Sequence, residues 1–411
     1  MSKNSNNVGV VSVVLVAGCI VTGISLGVRA TMGIYLDPIT SDLGVGSGSF
    51  GLAIAIQNIV WGFGQPIAGG LADRFGTARV LVAGAILYAF GLLVAKEAES
   101  VTALNLGLGL LMGLGLAGLS FSVILAAIGR SVSDNKRALA MATVTACGSL
   151  GQFVMVPLSQ VLIDSFGWRQ SLITGIVLVC VAGFAARPLR SSQSAIGNDG
   201  NEPLTIVLKN AFGHKSYLLL LAGFFVCGFH VTFIGVHLPK YLEDVGQTTQ
   251  IAALALATIG LFNIGGTIAI GALSGTYGNT RLLSTLYLVR GIVFGLIAIL
   301  PMSPVLALAS AAVIGIVWLS TVPLTSAIVL KQFGPTNAGT LFGFVFLSHQ
   351  IGAFIGTYGA GLVRDAVGSY QLFWWVSSAL GFGAALIHLY IDESPFQKVG
   401  DSGETTDVAP S

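Results

Sequence analysis

Charge is what this sequence has least of. Of its 411 residues only 9% are Asp, Glu, Lys or Arg, and 54% are hydrophobic. A soluble globular domain carries about 25% charged residues. So little charge cannot cover a water-facing surface, which excludes a soluble protein and leaves an integral membrane protein. Cysteine is scarce as well. Cys19, Cys147, Cys180 and Cys227 each lie in an apolar run without CxxC spacing. That argues against a disulfide framework or a metal site, and for small packed hydrophobes. There is no GxxxxGK[ST] phosphate loop and no loop long enough for a nucleotide domain, which argues against an ATP-driven machine. No catalytic constellation stands out. An enzyme, a cofactor and a nucleic-acid partner are therefore not expected.

What is there instead is apolar sequence in runs long enough to cross a bilayer. Twelve are expected, at about 10–36, 49–70, 79–96, 102–128, 138–163, 169–187, 216–240, 250–273, 282–301, 304–331, 338–362 and 370–391. The first outruns the apolar core of about 7–15 residues in a signal peptide, so it is expected to remain as a span. One long polar interruption, around "PLRSSQSAIGNDGNEP", divides the chain. The expected organisation is an N-terminal six-helix bundle (1–187), a linker (188–215), a C-terminal six-helix bundle (216–391) and a tail (392–411). Thirteen Lys and Arg residues fall in loops on the side of the termini, and four on the other. Both termini are therefore expected in the cytoplasm of a multi-pass protein of the cytoplasmic (inner) membrane.

The two halves repeat. "GGLADRFGTARVL" (Gly69 to Leu81) aligns with "GALSGTYGNTRLL" (Gly271 to Leu283) at a shift of 202. The same shift pairs "SDLG" (Ser41 to Gly44) with "EDVG" (Glu243 to Gly246), and a shift of 201 pairs "DSFG" (Asp164 to Gly167) with "DAVG" (Asp365 to Gly368). Two homologous bundles with a site between them near mid-membrane are the build of an alternating-access carrier.

"GGLADRFGTAR" resembles the loop between the second and third spans of the major facilitator superfamily, of form G-x-L-A-D-R-x-G-x-x-R. The resemblance covers essentially residues 8–391. It implies an all-α integral membrane fold, twelve transmembrane helices in two pseudo-symmetric bundles, working as a monomer. It also implies a gating role for Asp73, Arg74 and Arg79. The second copy carries Gly275 and Thr276 in place of Asp73 and Arg74, so only the first half keeps the charged pair. Three longer stretches, Cys147 to Arg169, Phe229 to Gly246 and Leu347 to Tyr370, look like bacterial members of the monocarboxylate transporter and oxalate/formate antiporter group. That resemblance implies small organic acids as cargo. One departure is plain: where the group often carries an arginine four residues after an Asp or Asn, this chain has Asn263 followed by Thr267.

Arg29 is the residue the composition does not predict. It lies within the first apolar run, where an ionised side chain costs from about 2.5 kcal/mol upward. Thr22, Ser25 and Arg29 recur at i, i+3 and i+7, one polar stripe along a helix. All 17 acidic residues fall in loops, span ends or tails, so no mid-span carboxylate is expected to neutralise it. A guanidinium fork suits a carboxylate, and the missing counter-charge is expected to be the substrate. The other reading makes Arg29 an outer gate held by carbonyls and water. Arg290, the second intramembrane arginine, is expected to be structural.

The remaining candidates for substrate contact are Ser25, Gln57, Trp61, Gln65, Gln152, Asn263, Ser320 and Thr321, with His230 and His349; the other reading of a lone polar residue in lipid is interhelical hydrogen bonding. Without a buried carboxylate, His230 and His349 are the titrating groups available for proton coupling. The expectation is a secondary transporter for a small organic anion, monocarboxylate-like, working by proton symport or anion exchange. The alternatives are a drug or cation carrier, which would want an intramembrane carboxylate, and a neutral-solute carrier with Arg29 as a gate. A receptor of this fold would want a signalling domain in addition.

Overall fold

The computed structural model describes residues 2–120, 123–124, 127–128, 134–189 and 204–395. Its regular elements are all helices, with no strand among the described residues. Lipid offers no partner for backbone amides and carbonyls, so each spanning segment must satisfy its own. The N-terminal half contains α1 (Ser2–Ala30), α2 (Met32–Leu43), α3 (Ser47–Phe75), α4 (Thr77–Lys96), α5 (Val101–Leu104), a π-helical segment (Asn105–Leu111), α6 (Met112–Gly118), α7 (Asp134–Phe166) and α8 (Trp168–Ala185). The C-terminal half contains α9 (Leu204–Gly213), α10 (Lys215–Asp244), α11 (Thr249–Tyr277), α12 (Asn279–Ile299), α13 (Pro304–Ile316), α14 (Thr321–Val367) and α15 (Gln371–His388).

Among the described residues, 10 stretches are long and apolar enough to cross a membrane. Two further long helices, α3 and α15, fall short of that measure because polar residues dilute them: Gln57, Asn58 and Gln65 in α3, and Gln371, Ser377, Ser378 and His388 in α15. The polar interruption between the halves is not all loop. It contains α9, whose Val207 and Ala211 are buried and join the cluster around Tyr217.

Several expected runs turn out to be interrupted. The first breaks at Thr31, whose hydroxyl donates to the Val28 carbonyl at 2.7 Å, and then continues as α2 to Leu43. Asp37, expected at a span end, is therefore inside a helix. The fourth run widens into the π segment, and the Leu108 carbonyl within it accepts a hydrogen bond from Gln57 Nε2 at 2.8 Å. The tenth run stops at Ile316 and restarts at Thr321. Further on, α14 turns sharply at Gly334, where φ is 75° and a side chain would be strained.

The repeat seen in the sequence is visible in the packing. A Cβ at Gly151 on α7 would lie 1.9 Å from the Gly23 carbonyl on α1, and one at Gly352 on α14 would lie 2.0 Å from the Phe225 carbonyl on α10. The partners are the repeat mates of each other, 151 with 352 and 23 with 225. Only glycine lets these backbones approach so closely, and close approach is what holds helices together in lipid.

Among the described residues the two bundles meet chiefly along α3 with α14, α7 with α11, and α2 with α10. Contact along α3 and α14 is close towards the Asp365 end. A Cβ at Gly48 would lie 2.9 Å from Asp365 Oδ2, at Gly51 2.9 Å from the Thr357 carbonyl, and at Gly62 2.9 Å from Gln350 Cγ. Beyond that, a Cβ at Gly69, Gly70 or Gly343 would meet nothing within 4 Å among the described residues. The bundles are thus joined at the Asp365 end, while the glycines of α3 and α14 towards the Arg79 end meet no neighbour among the described residues.

Candidate functional site

Arg29 lies on α1 one residue before it ends at Ala30. Its Nη2 donates to Asn58 Oδ1 on α3 at 2.7 Å, and the guanidinium carbon stands 4.9 Å from the centre of the Trp61 ring. The amide of Asn58 is itself held, donating to the Ile54 carbonyl at 2.8 Å, so its oxygen is turned towards the arginine. No carboxylate pairs with Arg29 among the described residues, and its Nε has no partner. The hydroxyls of Thr22 and Ser25, the rest of the expected stripe, are buried and unpaired too. Trp61 Nε1 is likewise buried without a partner, and its ring meets Phe346 of α14 edge-on at 5.6 Å. A cation, a stack and unmet donors thus gather where the two bundles touch.

A second group bridges α7 and α11. Gln152 Nε2 donates to the Leu256 carbonyl at 2.8 Å, and Asn263 Nδ2 to Ser149 Oγ at 2.8 Å. Asn263 Oδ1 accepts from the backbone amide of Leu319 at 2.9 Å and from Thr267 Oγ1 at 3.2 Å. Asn263 is therefore used up in tying the break between α13 and α14 to the opposite bundle. Ser320 also serves the break, donating to the Ile316 carbonyl at 2.9 Å. Gln57, fully buried, faces the π segment instead of Arg29.

The two histidines part company. His230 Nε2 bonds the Ser377 carbonyl at 2.9 Å and its ring packs on Phe294, so it faces α12 and α15 inside the C-terminal bundle. His349 stacks on Phe346 at 5.6 Å, packs on Phe224 of α10 at 5.1 Å and meets Gln350 Oε1 through its Nδ1 at 3.2 Å, so it lies between α14 and α10, one ring removed from Trp61. Arg290 is fully buried. Its Nε donates to the Val317 carbonyl at 3.1 Å, and its Nη2 to Val317 and Trp318 carbonyls. These are orphaned carbonyls at a helix C-terminus, where a cation is favourable. Thr321 and Cys227 meet at 3.2 Å next to it.

Of the gating trio, the Asp73 side chain lies outside the described residues. Arg74 extends over Phe75, with 5.2 Å to the ring centre, and Arg79 donates to the Phe75 carbonyl at 3.3 Å. The contacts that seal the opposite end are ones the sequence reading did not single out. Asp365 accepts from the amides of Ser47 and Gly48, and Lys240 on α10 pairs with Asp37 on α2. Asn58 and Gln350 were also overlooked. Each sits next to a residue that was chosen, Gln57 and His349, and the helical step of about 100° per residue gives the neighbours different faces.

The sequence matches the family model "Major Facilitator Superfamily" over residues 18–357. It is 28% identical over 361 residues to monocarboxylate transporter 13 of Bos taurus, covering 85% of this chain and 82% of that one. It is 25% identical over 400 residues to monocarboxylate transporter 11 of Homo sapiens, covering 92% and 82%. Among solved structures, the nucleoside transporter NupG aligns with a TM-score of 0.75 at 15% identity over 92% of this chain and 98% of that one. A D-xylose-proton symporter aligns at 0.72 and 13% identity over 95% and 99%. At such identities the structures speak for the fold alone, which they share from end to end. The family match agrees with the paired bundles and the interface between them, and the chain belongs to the major facilitator superfamily, a multi-pass membrane transporter and not an enzyme.

Proposed function

We propose that the protein is a secondary transporter of a small organic anion, monocarboxylate-like, by proton symport or anion exchange. The observation that carries this reading is Arg29. It is an intramembrane cation of the N-terminal bundle, held by Asn58 and beside Trp61, whose ring meets Phe346 of the other bundle, with no carboxylate beside it among the described residues. A carrier whose cargo supplies the counter-charge needs such a residue at the point where the bundles meet. The names of the similar monocarboxylate transporters support the same cargo class.

In this reading the cytoplasmic membrane is the setting, both termini are cytoplasmic, and residues 1–187 and 216–391 are the moving bundles of a monomer. The positively charged loops then put the Arg79 end inside, so the conformation is inward-facing. Asp73, Arg74 and Arg79 lock that end when the carrier faces outward. In a symporter, the proton falls to His349, one ring removed from Trp61, and not to His230.

The test is uptake of radiolabelled carboxylates into proteoliposomes by the wild type, Arg29→Lys and Arg29→Gln. Saturable uptake lost in Arg29→Gln and weakened in Arg29→Lys supports the reading. Uptake unchanged in both makes Arg29 a gate and gives the carrier to a neutral solute.

A further inference from the structure

Gln350 lies on α14 where that helix crosses α3. Its side chain reaches over to Gly62, where a Cβ would stand 2.9 Å from its Cγ and 3.0 Å from its Cβ. The residue is fully buried. Gln350 Oε1 faces His349 Nδ1 at 3.2 Å, where it accepts from the Nδ1–H tautomer, and the NH2 group points away from the histidine. That NH2 has no partner among the described residues.

It is not alone. Trp61 Nε1 and Arg29 Nε are buried and unmet as well. Asn58, Trp61 and Gly62 follow at i, i+3 and i+4 on α3, so they share one face. Arg29 bonds the first and lies over the second, while Gln350 rests on the third. Three unmet N–H donors, one each from α1, α3 and α14, therefore lie around one face of α3 where the bundles meet. Buried donors are nearly always paired, and the cost of leaving one unmet is greatest away from water. What completes the group is an acceptor. Arg29 answers a carboxylate. Gln350 and Trp61 are uncharged donors, and they answer an uncharged oxygen.

We propose that Gln350 is a substrate-contacting, specificity-determining residue that, with Trp61, holds a second, uncharged oxygen of the acid whose carboxylate lies on Arg29. This rests on the reading of Arg29 as the anion site. It adds that the cargo touches both bundles at once, which lets binding bias their closure.

The experiment uses the full-length protein in proteoliposomes. The probes are acid pairs differing by one hydroxyl on carbon 2: acetate and glycolate, propionate and lactate, phenylacetate and mandelate. Half-saturation is measured for wild type, Gln350→Met and Arg29→Gln, with thermal stabilisation of the purified protein by the same acids as a second readout. The wild type is expected to favour the hydroxy acid of at least one pair. Gln350→Met should raise its half-saturation about tenfold relative to that of the plain acid, the scale of one hydrogen bond. The ligand-free Tm of the variant, compared with that of the wild type, shows that it is folded. A wild type indifferent to the hydroxyl in every pair overturns the proposal, as does a Gln350→Met carrier that keeps the wild-type preference. A different failure, acids carried alike by wild type and Arg29→Gln, overturns the anion site itself.

Discussion

The carboxylate of Asp365, near the end of α14, accepts a hydrogen bond of 2.7 Å from the backbone amide of Gly48, at the start of α3 in the opposite bundle. Ser47 adds a second at 2.8 Å. An anion on the unpaired amides of a helix N-terminus is a favourable partner, and here it fastens one bundle to the other. Its repeat mate, Asp164, accepts from Gln250 near the start of α11 at 3.0 Å, also across the interface. Asp365→Ala is expected to loosen the sealed end by about 1–2 kcal/mol. Spin-label distances between α3 and α14 near these residues should shift towards a longer population. An unchanged distribution would show that the clasp contributes nothing to closure.

Arg29 offers a sharper test through its neighbour. Asn58→Asp places a carboxylate 2.7 Å from Nη2, where it competes with an anionic cargo. The variant should fold as well as the wild type and lose affinity for carboxylates at least about 30-fold, as when a buried charge contact is lost. Equal affinities by thermal shift would count against cargo binding at Arg29.

Arg290 is expected to be a matter of stability. Its planar fork serves two carbonyls at the break between α13 and α14. A lysine cannot reproduce that fork. Arg290→Lys should lower stability by about 2–3 kcal/mol, the scale of charged hydrogen bonds, seen as a lower Tm in detergent. A Tm equal to wild type would mean that the break holds without the guanidinium.

Glu393 gives a pH dependence outside the membrane. Burial raises its pKa, but bonds from the Thr280 amide, Asn279 and Lys331 outweigh this and hold the carboxylate below its usual range. The ionised form is thus favoured by folding. Its stabilisation is present above the usual carboxylate pKa and is lost as pH falls through the lowered one. Glu393→Gln should therefore lower Tm at pH 7 and cease to differ from wild type at about pH 3. A gap that persists in acid would rule out the charge as its cause.

The sequence and the structure agree where physics acts on whole segments. Span length and the repeat at 202 follow from lipid and duplication, and they are legible in any single copy of the chain. The break at Thr31 was not, because a threonine in an apolar run does not announce an interruption. Nor was the use of Asn263, which looked free until the Leu319 amide at the α13–α14 break was found beside it. At a shift of 202 His230 pairs with Val28, the neighbour of Arg29, but such a pairing says nothing of direction, and its ring faces α12 and α15. Gln350 needed the one fact a sequence withholds, which is that α14 crosses α3 at Gly62.

That crossing has a mechanical meaning. From Gly62 to Gly48 is 14 residues of α3, an arm of about 21 Å at 1.5 Å per residue. If α3 pivots on α14 by roughly 15°, the far amides leave Asp365 by about 5 Å, beyond any hydrogen bond. Atoms at the pivot hardly move. A ligand bound there keeps its contacts through the stroke, while the clasp at the end of the arm is made and broken. A cargo held by Gln350, as proposed, would sit at the fulcrum of the lever that carries it.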